Sequence, residues 1–439
     1  MVKYQKYAEY KDSGVEWLGA IPKSWQVKKL KYLCKVTTGS KDTVNAVEDG
    51  KYPFFVRSQT VERINSIGAD CEAVLTAGDG VGVGKVYHYY KGKFDFHQRV
   101  YMLYDFGAVT GRFVYYYLSS NFYKVALGGN AKSTVDSLRL PQFLNFEFSL
   151  PTVKEQNHIV DFLDHETAQI DTLIAKQEKL IELLKEKRQA VISHAVTKGL
   201  NPNVPMKNSG VEWLGEVPEH WKIPRLKQLI RYGSSISYGI VQPGEALDEG
   251  IPFIQTTNIS KGSFELEDFQ KTSLSIESNY PRSRLEGGEV ILGIRASIGA
   301  AFVVPMSFKG VNLSRGIARI IPNHLLRSDF LVWFFKSNAV DQYWGLSKQG
   351  STFSEVSIET VKELSVVIPP IKEQIDIANY VENESSKFEK LMLSAENQKN
   401  LLTERRTALI SAAVTGKIDV RHWQIPNKNN NQDNMELSA

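Results

Sequence analysis

Only two cysteines, Cys34 and Cys71, occur among the 439 residues. Two thiols cannot build a disulfide framework, so they read as structural and the expected location is the cytoplasm. No run of about 18 apolar residues is present, which argues against a membrane-spanning helix. The opening stretch, MVKYQKYAEYKDSG, has no apolar segment and so no secretory signal. A strong excess of one charge is missing too, since 53 basic and 49 acidic side chains leave a net +4. That balance permits nucleic-acid binding without demanding it.

Catalytic signatures are equally scarce. GDGVGVGKV, from Gly78 to Val86, resembles a phosphate loop, but Asp79 stands where the first glycine belongs and Val86 where the hydroxyl should hold Mg²⁺. Tight turns between strands account for these glycines better. Methyl transfer to a base would need a cofactor loop and an Asn/Asp-Pro-Pro-aromatic element, and neither is found. A metal-dependent nuclease would need clustered acids beside a lysine; the one Glu-x-Lys, Glu9 to Lys11, has no acid before it. His158 and His165 sit seven apart on a helical stretch whose neighbours Asp161 and Asp164 indicate a solvated face. No Gly-x-Ser-x-Gly elbow occurs. The sequence argues against an enzyme and for no metal or cofactor held by this chain.

What is there is repetition. SGVEWLG stands at Ser13 to Gly19 and again at Ser209 to Gly215. Extended from Asp12 and Asn208, the two stretches agree at 12 of 22 positions, pairing Trp17 with Trp213, Trp25 with Trp221 and Pro22 with Pro218. LPTVKEQ at Leu150 returns as IPPIKEQ at Ile368, and LLKEKRQAVISHAVT at Leu183 as LLTERRTALISAAVT at Leu401. A fainter echo links GKYPFFVRSQ at Gly50 to GIPFIQTTN at Gly250. Variable blocks alternate with similar ones.

The similar blocks read as long helices. From Glu155 to Lys198 there is neither proline nor glycine, and apolar residues recur every three or four positions. Roughly 40 residues at about 1.5 Å each make a rod near 60 Å, whose narrow apolar stripe needs a partner, and its twin in the same chain is the candidate. Ile170, Leu173, Leu184 and Val191 are expected to face Phe388, Leu391, Leu402 and Leu409. The variable blocks mix short β-type runs with one helical stretch each and read as compact α/β or α+β domains. The expected organisation is a first domain over 1–150, a helix over 151–199, a linker over 200–210, a second domain over 211–368, a helix over 369–417 and a tail over 418–439, disordered at its end.

Binding remains as the function. Arginine, glutamine and asparagine carry paired donors and acceptors that fit guanine and adenine edges. Such residues follow a strand at Arg57, Ser58 and Gln59, and at Gln255, Thr256, Thr257 and Asn258 in the matching place. Gln98 and Arg99 match Asn312 and Arg315. Ser40, Lys41, Lys85, Tyr238, Arg295 and Ser297 complete the candidates for DNA contact. Lys132, Ser133 and Thr134, with Gln349, Ser351 and Thr352, are candidate phosphate-touching loops. The SGVEWLG tryptophans fit a hydrophobic clasp more readily than stacking on bases.

Two copies of SGVEWLG…P..W….LK, two variable domains and two long helices opening on P..KEQ resemble the specificity subunit of a type I restriction-modification system. The resemblance spans nearly the whole chain. It implies an α+β chain in which two target-recognition domains each read one half of a bipartite, asymmetric double-stranded DNA sequence. It also implies two helices pairing as an antiparallel coiled coil, separating the domains and docking two modification (methyltransferase) subunits, with two restriction subunits joining where the system cleaves. S-adenosylmethionine, ATP and Mg²⁺ are then expected on those partners. The alternatives are a specificity module of a methyltransferase-only system and a scaffold that reads no sequence.

Overall fold

The computed structural model describes residues 4–126, 138–261, 265–348 and 355–425. They form two compact units, and neither coincides with one sequence repeat. The first comprises residues up to Glu178 together with those from Asn397 onward; the second is Lys179–Glu396. The boundaries cut through both long helices, Val153–Lys198 and Ile371–Val414. Each helix therefore contributes to both units, where separate spacer segments were expected.

The sheet of the first unit contains β1 (Lys35–Thr38), β2 (Tyr52–Phe55), β3 (Glu62–Ile64), β4 (Ala69–Ala77), β5 (Tyr87–Phe96) and β6 (Val100–Tyr104), in the order β1-β6-β4-β5-β2-β3. Only the β2–β5 pairing is parallel, with Phe54 opposite Asp95 and Phe55 opposite Phe96. Alternation in β4 sends Val74 towards the helix Gly111–Asn121, while Ala73 and Leu75 face Phe94, Phe96 and Met102.

The second unit follows the same path with shorter strands: β7 (Ser237–Tyr238), β8 (Ile251–Ile254), β9 (Gln270–Thr272), β10 (Val290–Gly293), β11 (Ala301–Val303), β12 (Asn312–Leu313) and β13 (Ile317–Ile320). They form two sheets, β7-β13-β10-β11 and β9-β8-β12. The parallel β8–β12 pair, Phe253 opposite Asn312, reproduces β2–β5. The faint GKYPFFV/GIPFI echo is this strand.

Within each unit the long-helix segments run antiparallel. In the first, Ile170 is buried with Leu409 and Ile410, and Arg406 Nε meets Asp171 at 2.7 Å. In the second, Arg188 bonds Ser385 Oγ and Glu389, both at 3.1 Å, beside the buried Phe388. Leu184 and Val191 are half-buried, as is Leu402, which packs on the first core. Two expected seam residues lie elsewhere: Leu173 is 44% and Leu391 is 54% exposed. At about 100° per residue the buried stripe passes instead through Ile174 in the first unit and Ile192 in the second. Leu173→Ala and Leu391→Ala should therefore each change stability by no more than about 0.5 kcal/mol, read by thermal melting.

SGVEWLG is the turn of a small hairpin. Tyr10–Asp12 pairs with Ala20–Pro22, and Met206–Asn208 with Glu216–Pro218, so part of the expected linker is strand. Gly14, Gly19, Gly210 and Gly215 all have φ between 62° and 72°, a conformation natural to glycine. Trp17 stacks on Phe146, with centroids 5.2 Å apart, and Trp213 packs on Tyr343 at 5.3 Å. The later tryptophan of each copy is fully buried at a junction of helix ends. Trp25 Nε1 donates to Glu155 at 3.1 Å, and its ring lies against Gly416, which closes the second long helix. Trp221 Nε1 donates to Glu373 at 3.0 Å and packs on Gly199, which closes the first. Gly416 and Gly199 have φ of 71° and 79°, as a helix stop requires. Each copy thus clasps the start of its own helix and the end of the other copy's helix, which is why the motif occurs twice.

The KEQ run serves the same junction. Gln156 Oε1 accepts from Thr110 N at 2.8 Å, while its Nε2 donates to Ala108 O and Pro151 O at 3.0 and 3.1 Å. Gln374 repeats this with Arg327 N, Leu325 O and Pro369 O, all at 2.9 Å. Residues 418–423, expected to belong to the tail, are packed: Val420 is buried, Trp423 meets Phe162 edge-on and Asp419 N donates to Gln5 O at 2.8 Å.

Candidate nucleic-acid interface

In each unit the candidate residues gather where the parallel strand pair ends. Beyond β2 and β5, His97 N donates to Phe55 O at 2.9 Å and Gln98 N to Lys41 O at 2.8 Å. Gly78 N then donates to Arg99 O at 2.8 Å. The second unit repeats each step. Ser314 N donates to Ile254 O and Arg315 N to Ile240 O, both at 2.8 Å, and Ile294 N to Gly316 O at 2.9 Å. These bonds fix a correspondence between the units: Arg57 with Thr256, Asp79 with Arg295, Gln98 with Arg315, Arg99 with Gly316.

The first unit brings together Arg57, Ser58, Gln59, Lys85, Gln98 and Arg99, with Ser40 and Lys41 on the adjoining segment. Arg57 and Arg99 share one carboxylate, Asp79, at 2.9 Å to Oδ1 and 2.6 Å to Oδ2. Burial pushes the Asp79 carboxyl up, but the hydrogen bonds from Arg99 and Arg57 prevail and hold it below the usual range, so it stays ionised. Gln98 Nε2 donates to Asp42 at 2.8 Å and Gln59 Nε2 to Lys85 O at 3.0 Å, while Ser58 O meets His88 Nε2 at 2.9 Å. Burial, seconded by Arg57, lowers the His97 imidazole below its ordinary value. Its Nδ1 accepts from Arg99 N at 2.9 Å and pins that backbone.

In the second unit Thr256 and Arg295 both lie against Gly316, Ser297 shares the Arg295 turn, and Arg315 bonds Ile240, two residues beyond Tyr238; Gln255 and Thr257 flank Thr256 in sequence. Here Arg295 and Arg315 flank Glu355, at 3.6 and 3.9 Å. The turn carrying Arg295 and Ser297 is tight: Ala296 has φ 60° and Ser297 N bonds Arg295 O at 2.6 Å. A non-glycine residue held there is strained, a feature common at functional sites. Gln255 Nε2 donates to Gln270 at 3.0 Å, and Tyr238 is exposed on β7.

Two candidates have internal duties instead. Asn312 is fully buried; its Oδ1 accepts from Ser283 Oγ and Leu313 N, and its Nδ2 donates to Glu277 and Tyr280 O. Asp95 holds the corresponding place and accepts from Ser66 Oγ and Phe96 N. Asn258 is buried too, with Oδ1 accepting from Gln255 N at 2.9 Å, as a cap to the short helix Thr256–Lys261. Neither side chain has an edge to offer a base. Lys132, Ser133, Thr134, Gln349, Ser351 and Thr352 lie outside the described residues. Residue chemistry alone missed Asp79 and Glu355, because a search for base-reading donors passes over acids.

Among the described residues no group of three or more His, Cys, Asp or Glu could hold a metal ion, and no helix is long and apolar enough to cross a membrane. Residues 22–183 and 218–399 each match the family model of the type I restriction modification DNA specificity domain. The chain is similar to the type I restriction enzyme EcoBI specificity subunit of Escherichia coli, 28% identical over 325 residues, covering 72% of this chain and 67% of that one. The EcoDI specificity subunit, also of Escherichia coli, is 25% identical over 428 residues, covering 93% and 92%. Two solved structures share the fold. A chain from a study of complex assembly and conformational transition of the type I R-M system gives a TM-score of 0.68 at 14% identity, over 90% of this chain and 98% of that one. The HsdS subunit from Thermoanaerobacter tengcongensis gives 0.51 at 14% identity, over 93% and 100%.

Proposed function

Because this chain belongs to the family of type I restriction modification DNA specificity domains, we propose that each of its two units reads one half of a bipartite, asymmetric DNA target for a methyltransferase. The observation that carries this reading is the duplication of the interface. Two units of one path present arginine, glutamine and hydroxyl side chains at the same strand ends, yet with different residues at matching positions. Equivalent scaffolds with different reading residues suit two half-sites of different sequence.

The chain acts by binding and carries no catalytic group. Two modification subunits supply the methyl-transfer chemistry and hold S-adenosylmethionine; restriction subunits, where present, hold ATP and Mg²⁺. The working location is the cytoplasm. Docking falls to the long helices, whose outer faces expose Leu173 and Leu401 in the first unit and Leu180, Leu183, Leu391 and Leu393 in the second. Exposed leucines on a charged helix favour a protein partner.

The test is a genomic methylation profile. Deleting the chain should abolish methylation at one bipartite motif. Exchanging residues 35–145 for the corresponding block of a relative keeps both the hairpin and the helix start, so it should change the bases of one half-site and leave the other as it was. A change in both halves, or in neither, contradicts the assignment of one unit to one half.

A further inference from the structure

Both units place two arginines around one carboxylate at the same end of the fold: Arg57 and Arg99 are hydrogen-bonded to Asp79, while Arg295 and Arg315 stand within ion-pair reach of Glu355 at 3.6 and 3.9 Å. Inheritance from a common repeat does not explain the likeness. The backbone correspondence sets Thr256, Arg295 and Gly316 where the first unit has Arg57, Asp79 and Arg99, and Gln98 where the second has Arg315. None of the charged groups is shared in position, yet the same trio recurs in the same place. Stability is a weak explanation, because the four arginines are at least 40% exposed and such ion pairs contribute modestly, although Asp79 and Glu355 are themselves 16% and 27% exposed.

Electrostatics sharpens the point. A carboxylate among residues that approach DNA phosphates opposes non-specific binding, so its presence needs a compensating role. An arginine fork oriented before DNA arrives loses less side-chain freedom on binding, and a carboxylate is the group that orients it. In the major groove a G·C pair offers two acceptors on guanine and one donor on cytosine N4, which match a guanidinium beside a carboxylate oxygen with a lone pair to spare.

We propose that Asp79 and Glu355 are positioning residues for sequence reading: each holds a pair of guanidiniums ready for the guanine of a G·C pair in its own half-site and disfavours other pairs there. The inference rests on the reading of this chain as a DNA specificity subunit. It requires at least one G·C pair in each half-site.

The experiment profiles genomic methylation by the complex of the full chain with its methyltransferase subunits, for the parent, Asp79→Asn and Glu355→Gln. Asp79→Asn should relax one G·C position in one half-site, raising methylation of sites mismatched there by roughly 5- to 150-fold, the range a bidentate base contact commands. Glu355→Gln should do the same in the other half only, and both variants should melt like the parent. A motif unchanged in both variants overturns the proposal, as does a half-site of A·T pairs alone, or loss of all methylation by a variant that melts like the parent. If Asp79→Asn fails to fold, the exposed Arg99→Lys decides in its place, because lysine keeps the charge but not the fork. Relaxation at one G·C pair supports the proposal and an unchanged motif refutes it. A parent that directs no bipartite methylation defeats the proposed function itself, a result distinct from all of these.

Discussion

Trp25→Ala should cost the first unit about 3–5 kcal/mol, as expected for emptying the site of a fully buried tryptophan. The loss is not confined to packing, since the indole N–H to Glu155 disappears with it. Its reach along the chain distinguishes this prediction. Trp25 lies against Gly416, so residues 397–423 should lose hydrogen-exchange protection together with residues 4–178. In Trp221→Ala the protection should drop within 179–396 instead, including the helix end before Gly199. Exchange monitored by mass spectrometry reads both, and a Trp25→Ala chain that keeps its protection at 397–423 would contradict the clasp.

Gln374→Leu, and Gln156→Leu in the other unit, should each cost at least about 3 kcal/mol. The buried amide satisfies three backbone groups, and stranding each costs about 1–3 kcal/mol, though such terms do not simply add. The lysine of the same repeated run is exposed in both copies. Lys154→Ala and Lys372→Ala should therefore stay within about 0.5 kcal/mol of the parent in denaturant melts. Equal losses for lysine and glutamine would mean that the run is kept for something other than this junction.

These contrasts mark what the sequence could and could not disclose. Identity between SGVEWLG copies announces two equivalent elements, and unbroken helical periodicity announces two rods. Neither says that Trp25 closes on the end of the rod 391 residues further along, at Gly416, because that pairing is a property of the assembled pseudo-repeat and leaves no local pattern. Leu173 fits a three-four spacing as well as Ile174 does, and only the facing surface chooses between them. Of the base-reading candidates, Arg57, Gln59, Gln98 and Arg99 lie near one another in the first unit, and Arg295 and Arg315 do so in the second. Asn312 does not, because composition cannot distinguish a buried amide that braces a parallel strand pair from one presented to a ligand. Residues 418–423 follow the last helix and read as the start of the tail, yet Val420 and Trp423 provide what the first core needs.

The division of the long helices also bears on the order in which the protein can be made. A chain leaves the ribosome from its N-terminus, and domains generally fold as they emerge. The second unit is continuous in sequence and can close once residue 396 is out, whereas the first, though synthesised earlier, waits for Leu409, Ile410, Ala413, Val414 and Val420. Until then the core around Trp25, Phe162 and Ile170 lacks part of its cover. A product cut short near residue 396 would keep an open first core, which exposes it to proteolysis. Completion of the last helix is thus the step that closes the core begun first.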